Sequence, residues 1–573
     1  MPPLSILIWL PGALGLLGAL LSRARGDSEA DEQGSWSLAG TLAMLGSLGA
    51  LGLAIGYIAD FHTGAHLQHV TDVVWIKELG IHYKLGVSGL NVFLVGLTTL
   101  LFAAAVLAAN MRSWQRPGLF FFHFMIAESA VLGAFLAQDL ALFVAFFDLM
   151  LIPFYFMVGG WGSDRGDVTR VRATLKFVIY TFVGSLLMLA AAIATGVLSA
   201  QEGGGHITFV LSEIHANALG SGTQDWIFLF FAAAFLVKMP AFPLHGWMPD
   251  GYRAMPIEVL MVFSGVLSKV GAYGFLAIVL PLFPGAAAHF QTLMLVIALL
   301  SILYGSLQAF SQTDARLIAG YSSVAQLGFI TLGIFALNSK GAQGALLQMV
   351  NHGLVVAPLL FIIAVLARRA GGSEDIRDMG GIATRAPVLA ALFLIVSLAT
   401  LAMPGSSNFV GEFLILLGVF NAKLVFAIIA FAGVVLASVY ALRLFIRSVH
   451  NRVGAKVSPR DISIADAAVL VPVVLVILFM ALYPQLALKR SERAVQASVF
   501  TATSDSGARP EGACPPLGPS ELGCPTIGAA TASVPVLGAT RAISGKAEQS
   551  RPGRPYREGE ATFRVATYGS EVK

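Results

Sequence analysis

The chain has 573 residues, of which 57% are hydrophobic and only 12% are charged, and its formal net charge is +4. Because soluble domains carry about 25% charged residues, this composition excludes a set of soluble globular domains and indicates a polytopic membrane protein. The small net charge gives no indication of a nucleic-acid-binding surface.

The sequence contains no motif for a redox or nucleotide cofactor. Its two cysteines, Cys514 and Cys524, lie near the C-terminus, and no cysteine and histidine residues cluster at metal-ligand spacing. Neither a glycine-rich dinucleotide fingerprint nor a P-loop occurs. We therefore expect no metal, haem or iron–sulfur cluster in this chain. The two cysteines either pair, if the tail lies outside the cytoplasm, or remain free thiols.

The apolar segments predict an all-α fold with about fourteen transmembrane helices, because a bilayer core requires about 20 apolar residues per helix. After the last span, residues 489–573 are rich in Ser, Ala, Gly, Pro and Arg without sustained periodicity, which predicts a disordered tail. The predicted spans are residues 4–22, 37–58, 90–109, 118–137, 139–159, 173–199, 227–245, 256–281, 289–310, 316–337, 343–367, 386–413, 421–446 and 464–486.

Basic residues alternate between the two sides of the predicted bundle. The loops after odd-numbered spans contain 17 lysines and arginines, whereas the loops after even-numbered spans contain 4. Cytoplasmic loops carry the excess of basic residues. The alternation supports the count of fourteen spans and predicts that both termini lie on the outer side of the membrane.

Two predicted spans contain helix breaks. In span 7, Lys238 is followed by Pro240, which removes an amide donor and frees the carbonyl of Leu236. In span 12, Pro404 precedes Glu412. Broken helices at matching positions are typical of transporters built from inverted repeats. We therefore predict helices 1–3 in residues 1–117, two inverted five-helix repeats in 118–281 and 282–447, a last helix in 448–488 and the tail in 489–573.

Charged residues near the middle of a span indicate function by default, because a buried charge costs several kcal/mol unless it is paired or hydrated. Asp148 of span 5 could be the counter-ion of Lys238, and Lys269 of span 8 is a second buried ammonium. Alternatively, Lys238 snorkels to the interface and Asp148 is a structural hydrogen-bond acceptor. Glu128 of span 4 is either another carboxylate on the same path or a contact between helices.

Three further polar residues lie in apolar surroundings, namely His245, His352 and Gln326. Each could relay protons through water or could form an ordinary hydrogen bond between helices. The segment GSEDIRDMGG at residues 372–381 carries mixed charge and predicts a solvated or partner-docking surface.

Six segments of the chain are distinctive, namely FFDLMLIPFYFMVGGWG, KMPAFPLHGWMPD, LSKVGAYG, LIAGYSSVAQLGF, IRDMGG and MPGSSNFVGEFLIL. Together they resemble the antiporter-like membrane subunits of the proton-pumping NADH:quinone oxidoreductase, respiratory complex I. The resemblance covers spans 2 to 14 and leaves out the tail after about residue 488. A glutamate at Glu412 favours the subunit M branch of the family, because the sister subunits usually have lysine there.

The resemblance implies functions for the matched positions. Four of them would carry out proton translocation, namely Asp148, Lys238, Lys269 and Glu412. Glu128 matches a span-4 glutamate found in many members. Together with the two histidines noted above it forms the set of candidate proton relays, namely Glu128, His245 and His352.

The sequence departs from the family pattern at two positions. Asp148 stands where the family normally has glutamate, so its side chain is shorter by about one bond length of 1.5 Å. Its pair with Lys238 is therefore expected to be looser or bridged by water. Gln326 stands where many members have histidine, and an amide cannot titrate, although it can order water.

The function implied by the resemblance is proton translocation coupled to electron transfer from NADH to quinone. NADH, FMN, iron–sulfur clusters and quinone would be bound by partner subunits and not by this chain. The expected partners are two sister antiporter-like subunits and the lipid bilayer, with no nucleic acid, in a bacterial plasma membrane. The alternatives are a subunit of a multisubunit sodium/proton antiporter and a membrane scaffold with an inactive proton path.

Overall fold

The computed structural model describes residues 1–505 except 26–36, 65, 166, 204, 215–218, 451–453, 455–456 and 459. The part of the predicted tail beyond residue 505 lies outside the described residues. Cys514 and Cys524 lie in that part, so their pairing stays a prediction.

Within the described residues, twelve helical stretches are long and apolar enough to cross a membrane. They are α1 (Leu4–Arg25), α2 (Leu38–Asp60), α3 (Val92–Asn110), α4 (Pro117–Leu136), α5 (Leu140–Leu149) with α6 (Leu151–Trp161), α7 (Arg170–Gly203), the span-8 helix Ile257–Leu282, α14 (Gln291–Ser311), α15 (Ala315–Ile334), α16 (Ser339–Arg369), α20 (Leu424–Val449) and α21 (Ile464–Leu482).

The remaining two predicted spans are each divided into two helices. Span 7 consists of α8 (Ser221–Lys238) and α9 (Met248–Ala254), and span 12 consists of α18 (Pro387–Thr400) and α19 (Ser407–Ala422). The predicted count of about fourteen spans and both predicted breaks are therefore confirmed. The bounds of the two inverted repeats stay a prediction.

The break in span 7 is closed by hydrogen bonds within the protein. Helix α8 ends at Lys238, and the amide of Ala241 donates to the Leu236 carbonyl at 3.0 Å. The indole Nε1 of Trp247 donates to the Val237 carbonyl at 3.1 Å. Backbone groups freed at a helix break within a membrane need such partners.

Span 8 and span 5 are also irregular, which the sequence did not predict. Span 8 runs through α10 (Ile257–Val262), a π-helical segment (Phe263–Leu267), α11 (Ser268–Gly274), a second π-helical segment (Phe275–Val279) and α12 (Leu280–Leu282). In span 5, α5 and α6 meet at Met150. Pro153 lacks the amide that would bond to the Leu149 carbonyl, which explains why the break falls there.

The structure also contains a small β-hairpin, which corrects the purely α-helical prediction. Strands β1 (Gln68–Ile76) and β2 (Ile81–Val87) pair in antiparallel fashion, with Val73 opposite Tyr83. The two strands are connected by a 3₁₀ turn over Lys77–Leu79 followed by Gly80. Gly80 has a φ of +61°, in the left-handed region that favours glycine.

The prediction that the disordered tail begins at residue 489 is wrong. Helix α22 (Gln485–Asp505) extends the folded part of the chain beyond residue 489. Two short helices occur earlier in the chain, α13 (Pro284–His289) and α17 (Ile382–Arg385). The buried residues of α22 recur at helical spacing and pack against α12, α13 and α16. They are Ala487, Ser491, Ala494, Val495, Ser498, Val499 and Ala502. Small and polar residues dominate this face, so the composition concealed its periodicity.

The centre of the bundle is formed by span 8, α15 and α16, which are buried along nearly their whole length, whereas α7 and α20 expose large apolar side chains. Charged groups carried by the central helices are therefore shielded from lipid. This arrangement positions the candidate site.

Glycines allow α16 and α19 to pack at close range. A Cβ atom on Gly344 would lie 2.6 Å from the backbone nitrogen of Ile415. We expect Gly344→Ala to lower the free energy of unfolding by about 1–3 kcal/mol, because overpacking forces backbone shifts. The thermal denaturation midpoint in detergent measures this. Gly52→Ala, where a Cβ meets no atom within 4 Å, is the control, and equal effects of both substitutions would contradict the explanation.

Candidate functional site

A row of buried ionisable side chains lies at the irregular points of the bundle. Lys238 ends the first half of broken span 7, Lys269 follows a π-helical segment, and Glu412 lies in the second half of broken span 12. These three side chains are exposed by only 4%, 0% and 3%, respectively. Snorkelling of Lys238 to the interface is therefore wrong, because its side chain is enclosed by protein.

Asp148 and Lys238 face each other loosely across spans 5 and 7. The two groups interact electrostatically, but within the described residues no hydrogen bond joins them, and Asp148 Oδ1 has no hydrogen-bond partner. The Nζ of Lys238 instead donates to the Phe147 carbonyl at 3.5 Å and lies 4.6 Å from the centroid of the Phe147 ring. This geometry agrees with the looser pair expected from the shorter aspartate.

Lys269 is held by the irregular backbone of its own span. Its Nζ donates to the Ser264 carbonyl at 2.5 Å and to Ser268 Oγ at 3.2 Å. Ser264 lies in the first π-helical segment, where bonds to the fifth residue along replace the regular α-helical pattern. His352 of α16 lies within electrostatic range of Lys269, so the structure brings these two predicted residues together.

Two glutamine amides hold one oxygen of Glu412. Gln326 Nε2 donates to Glu412 Oε1 at 2.7 Å, and Gln348 Nε2 donates to the same oxygen at 3.4 Å and to Gln326 Oε1 at 2.8 Å. Glu412 Oε2 and the hydroxyl of Tyr440 have no hydrogen-bond partner among the described residues, and Tyr440 lies beside this cluster. Gln326 therefore orients a carboxylate.

Gln348 and Tyr440 belong to the same cluster, although neither was predicted from the sequence. A signal for Gln348 was nevertheless present. It lies four residues before His352 on the same helix, and residues four apart share one helix face.

The other two predicted relay residues, Glu128 and His245, contact different partners. Glu128 Oε2 accepts a hydrogen bond of 2.6 Å from Ser47 Oγ of α2, which is the contact between helices that the sequence left open. His245 packs against the ring of Tyr304 and lies within electrostatic range of Lys176. Among the described residues, neither side chain forms a hydrogen bond or ion pair with Lys269 or Glu412.

Within the segment at residues 372–381, Glu374 is buried in an internal ion-pair cluster, so the prediction of a solvated surface is wrong at this residue. Glu374 accepts hydrogen bonds from Arg316 at 2.7 and 2.9 Å and pairs with Arg165 at 2.7 Å. Elsewhere in the segment Gly372, Arg377 and Asp378 are exposed. Asp375 pairs with Arg377 at 2.6 Å, and hydrogen bonding to Arg377 lowers the pKa of Asp375. We call Arg165, Arg316 and Glu374 the Glu374 cluster.

Comparison with known proteins identifies the family. The sequence profile described as NADH:quinone oxidoreductase/Mrp antiporter, TM, matches residues 137–438, which is more than half of the chain. The chain belongs to this family. The matched region of this antiporter-like family contains Asp148, Lys238, Lys269 and Glu412.

Individual relatives agree with the subunit M branch indicated by the motifs. A protein of Rhodobacter capsulatus named NADH-quinone oxidoreductase subunit M is 36% identical over 494 residues, which cover 84% of this chain and 93% of the relative. The protein of the same name from Escherichia coli K12 is 36% identical over 432 residues, covering 75% and 84%. The predicted resemblance is therefore confirmed.

Solved structures show the same fold. A chain of respiratory complex I from Thermus thermophilus with bound NADH aligns with a TM-score of 0.77 at 30% identity, covering 87% of this chain and 99% of that chain. A chain of the Mrp complex from a Dietzia species aligns with a TM-score of 0.73 at 20% identity, covering 88% and 100%. The second match establishes similarity of fold alone.

Proposed function

We propose that this chain is a proton-translocating membrane subunit of an NADH:quinone oxidoreductase, in the position of subunit M. It would move protons while electrons pass from NADH to quinone in partner subunits. The observation that supports this most is the row of buried Lys238, Lys269 and Glu412 at helix irregularities in a chain of the antiporter-like family.

The first step would be the release of a proton from Lys238. Asp148, the Phe147 carbonyl and the face of the Phe147 ring all favour a protonated ammonium. Because α5 ends one residue after Asp148, a small change at that break would move the carboxylate away from Lys238. The ammonium would then lose part of its stabilisation and give up its proton.

Lys269 and His352 would carry the proton between the two halves of the protein. An ammonium has three donor hydrogens, and two of those on Lys269 are directed to Ser264 and Ser268. The third would be available for transfer through water towards His352. A positive charge on Lys269 disfavours a second one on His352, so the two groups would be protonated alternately.

Glu412 would be the terminal acceptor in this chain. Gln326 and Gln348 fix Oε1, whereas Oε2 is free to accept a proton and Tyr440 offers a hydroxyl beside it. Moving one charge against about 150 mV requires about 3.5 kcal/mol, scaled from 2.3 kcal/mol per 100 mV. Changes of two to three pKa units along the row, at about 1.36 kcal/mol each, would supply that amount.

The chain would lie in a bacterial plasma membrane with both termini on the outer side, between two sister antiporter-like subunits. NADH, FMN, iron–sulfur clusters and quinone would be bound by other subunits of the assembly. The alternation of basic residues between loops supports this orientation.

Co-purification tests the proposed assembly. The membrane is solubilised gently, the chain is captured by its C-terminal tail, and the eluate is assayed for flavin, iron–sulfur clusters and NADH:quinone reductase activity. Presence of all three supports the proposal. A colourless eluate that contains only small membrane subunits and supports sodium-dependent proton flux would instead identify a multisubunit sodium/proton antiporter.

Substitution of Gln326 tests the role of the amide pair. We expect Gln326→Leu to reduce proton pumping by about tenfold or more, because a hydrogen bond to a charged group contributes about 1.5–3 kcal/mol. Proton uptake by inverted membrane vesicles, normalised to NADH oxidation, measures the effect. Gln343→Leu on α16 is the control, since it removes only a 2.9 Å bond to the Leu488 carbonyl. Similar pumping by both variants would contradict the role.

A further inference from the structure

A long groove opens on the surface of the bundle between α4, α6 and α7. Its volume is about 890 Å³, which lies within the range of about 300–1,000 Å³ typical of ligand sites. It runs from the loop that precedes α4 along the first turns of that helix. Its walls consist mainly of apolar and aromatic side chains, namely Leu119, Phe122, Tyr155, Phe156, Val171 and Leu175.

The walls of the groove are formed by exposed side chains of membrane-spanning helices. Tyr155 and Phe156 are 42% and 46% exposed, and Val171 and Leu175 are 59% and 53% exposed. Gly159 and Gly160 of α6 also line the groove. An exposed apolar trough on membrane-spanning helices can accommodate a lipid acyl chain, because an acyl chain packs along a helix surface without requiring hydrogen bonds.

One end of the groove is polar and positively charged. Arg116 lines this end, is exposed, and forms no ion pair with any carboxylate of the described residues. Its backbone has a φ of +54°, in the left-handed region, so the turn that presents the side chain departs from the helix that follows. The indole Nε1 of Trp161 donates to the Gln115 carbonyl at 2.5 Å and fastens this turn to α6.

Aromatic residues at this end mark the depth of the lipid headgroups. Trp161 lines the groove beside Arg116, and tryptophan is enriched at membrane–water interfaces. His123 Nδ1 donates to the Leu119 carbonyl at 2.7 Å and its ring packs against Phe156 at 4.8 Å between centroids. The groove therefore passes from a basic rim to an apolar trough over about two helical turns of α4.

We propose that this groove binds one anionic phospholipid, with the phosphate on Arg116 and an acyl chain between α4, α6 and α7. Charge complementarity selects the occupant. The rim lies on the arginine-rich side of the bundle, and the cytoplasmic leaflet, where such loops lie, carries the anionic lipids. A guanidinium binds phosphate oxygens in bidentate fashion, whereas a zwitterionic headgroup would bring a second cation to the same rim.

Photo-crosslinking in the intact assembly tests the site. The complex that contains this chain is reconstituted in phosphatidylcholine vesicles with a trace of phosphatidylglycerol or phosphatidylcholine carrying a diazirine in the acyl chain. Labelled peptides are then identified by mass spectrometry. We expect labelling on peptides of α4, α6 and α7, with phosphatidylglycerol favoured by about fivefold, since one arginine near the surface contributes about 1 kcal/mol.

Three variants distinguish binding of the lipid headgroup by Arg116 from binding of the acyl chain in the apolar part of the groove. Arg116→Gln should reduce the preference for phosphatidylglycerol to within about twofold, and Arg116→Lys should restore most of it. Gly160→Phe should prevent labelling by both lipids, because a side chain at Gly160 meets no protein atom within 4 Å and would project into the groove. Arg385→Gln, at an exposed arginine of α17 outside the groove, should change nothing.

Four results would overturn the proposal. They are equal labelling by the two lipids, preserved selectivity in Arg116→Gln, preserved labelling in Gly160→Phe, and crosslinks from the groove to a neighbouring protein subunit in place of lipid. If Gly160→Phe fails to assemble, the Arg116 variants decide the outcome, since Arg116 holds no ion pair within the described chain. The test does not depend on proton pumping, so it remains valid for whichever assembly contains the chain.

Discussion

Replacement of Lys238 by alanine is expected to abolish proton pumping by this subunit. Lys238 is enclosed at the break of span 7 and is the group that Asp148 and Phe147 jointly stabilise. Alanine leaves no titratable group at that point, so the proton path is interrupted. Proton flux should fall by at least about tenfold, which corresponds to a barrier raised by only about 1.4 kcal/mol.

The measurement is the number of protons moved per electron by inverted membrane vesicles oxidising NADH. Lys238→Arg should keep the positive charge but lose the release step, because a guanidinium does not deprotonate in proteins. Lys423→Ala, at an exposed lysine between α19 and α20, is the control and should pump normally. An unchanged stoichiometry in Lys238→Ala would exclude the mechanism and favour a scaffold with an inactive path.

Substitution of Glu374 by alanine is expected to have the largest effect on stability. The Glu374 carboxylate lies between Arg316 and Arg165, and Arg316 is only 3% exposed. Removing one partner of a buried ion pair costs about 3–5 kcal/mol, because a charge remains uncompensated. Arg316 also donates to the carbonyls of Tyr252 and Met255 at 3.1 and 2.6 Å. The loss should therefore loosen the start of span 8 as well.

Thermal denaturation of the detergent-solubilised chain tests this expectation. Glu374→Gln, which keeps the shape and two hydrogen-bonding atoms, should lie between wild type and Glu374→Ala. Arg377→Ala provides the control three residues away, since its side chain is 70% exposed and its ion pair is screened by water. The explanation fails if Arg377→Ala lowers the denaturation midpoint as much as Glu374→Ala does.

The fold was predictable wherever its cause is local in the sequence. Apolar runs indicated the spans, and Pro240 and Pro404 indicated the breaks of spans 7 and 12. The π-helical segments of span 8 contain no proline, so the sequence carried no local signal for them. The β-hairpin was overlooked because it is short and lies between two spans, although Val73, Val74 and Ile76 are residues typical of strands. Helix α22 was overlooked because small residues make its buried face inconspicuous.

The charged residues of the site could be predicted from the sequence, whereas the groups that contact them could not. Asp148, Lys238, Lys269 and Glu412 stood out because charges are rare inside spans. Their immediate contacts are different in kind. The Ser264 carbonyl that accepts from Lys269 lies in a π-helical segment, and Gln348 reaches Glu412 because α16 and α19 pack closely. Such features depend on three-dimensional packing and not on composition.

The π-helical segments of span 8 determine where the chain tolerates a change in length. In a regular α-helix each residue turns the chain by about 100°, so a deletion within α15 would swing every later side chain to another face. A π-helical turn already contains an additional residue. A deletion between Phe263 and Leu267 can therefore convert that turn to α-helix while Lys269 keeps its direction. Over evolutionary time, such a π-helical turn is a place where one of the central, buried helices of the protein can lose a residue and still direct its buried lysine inward.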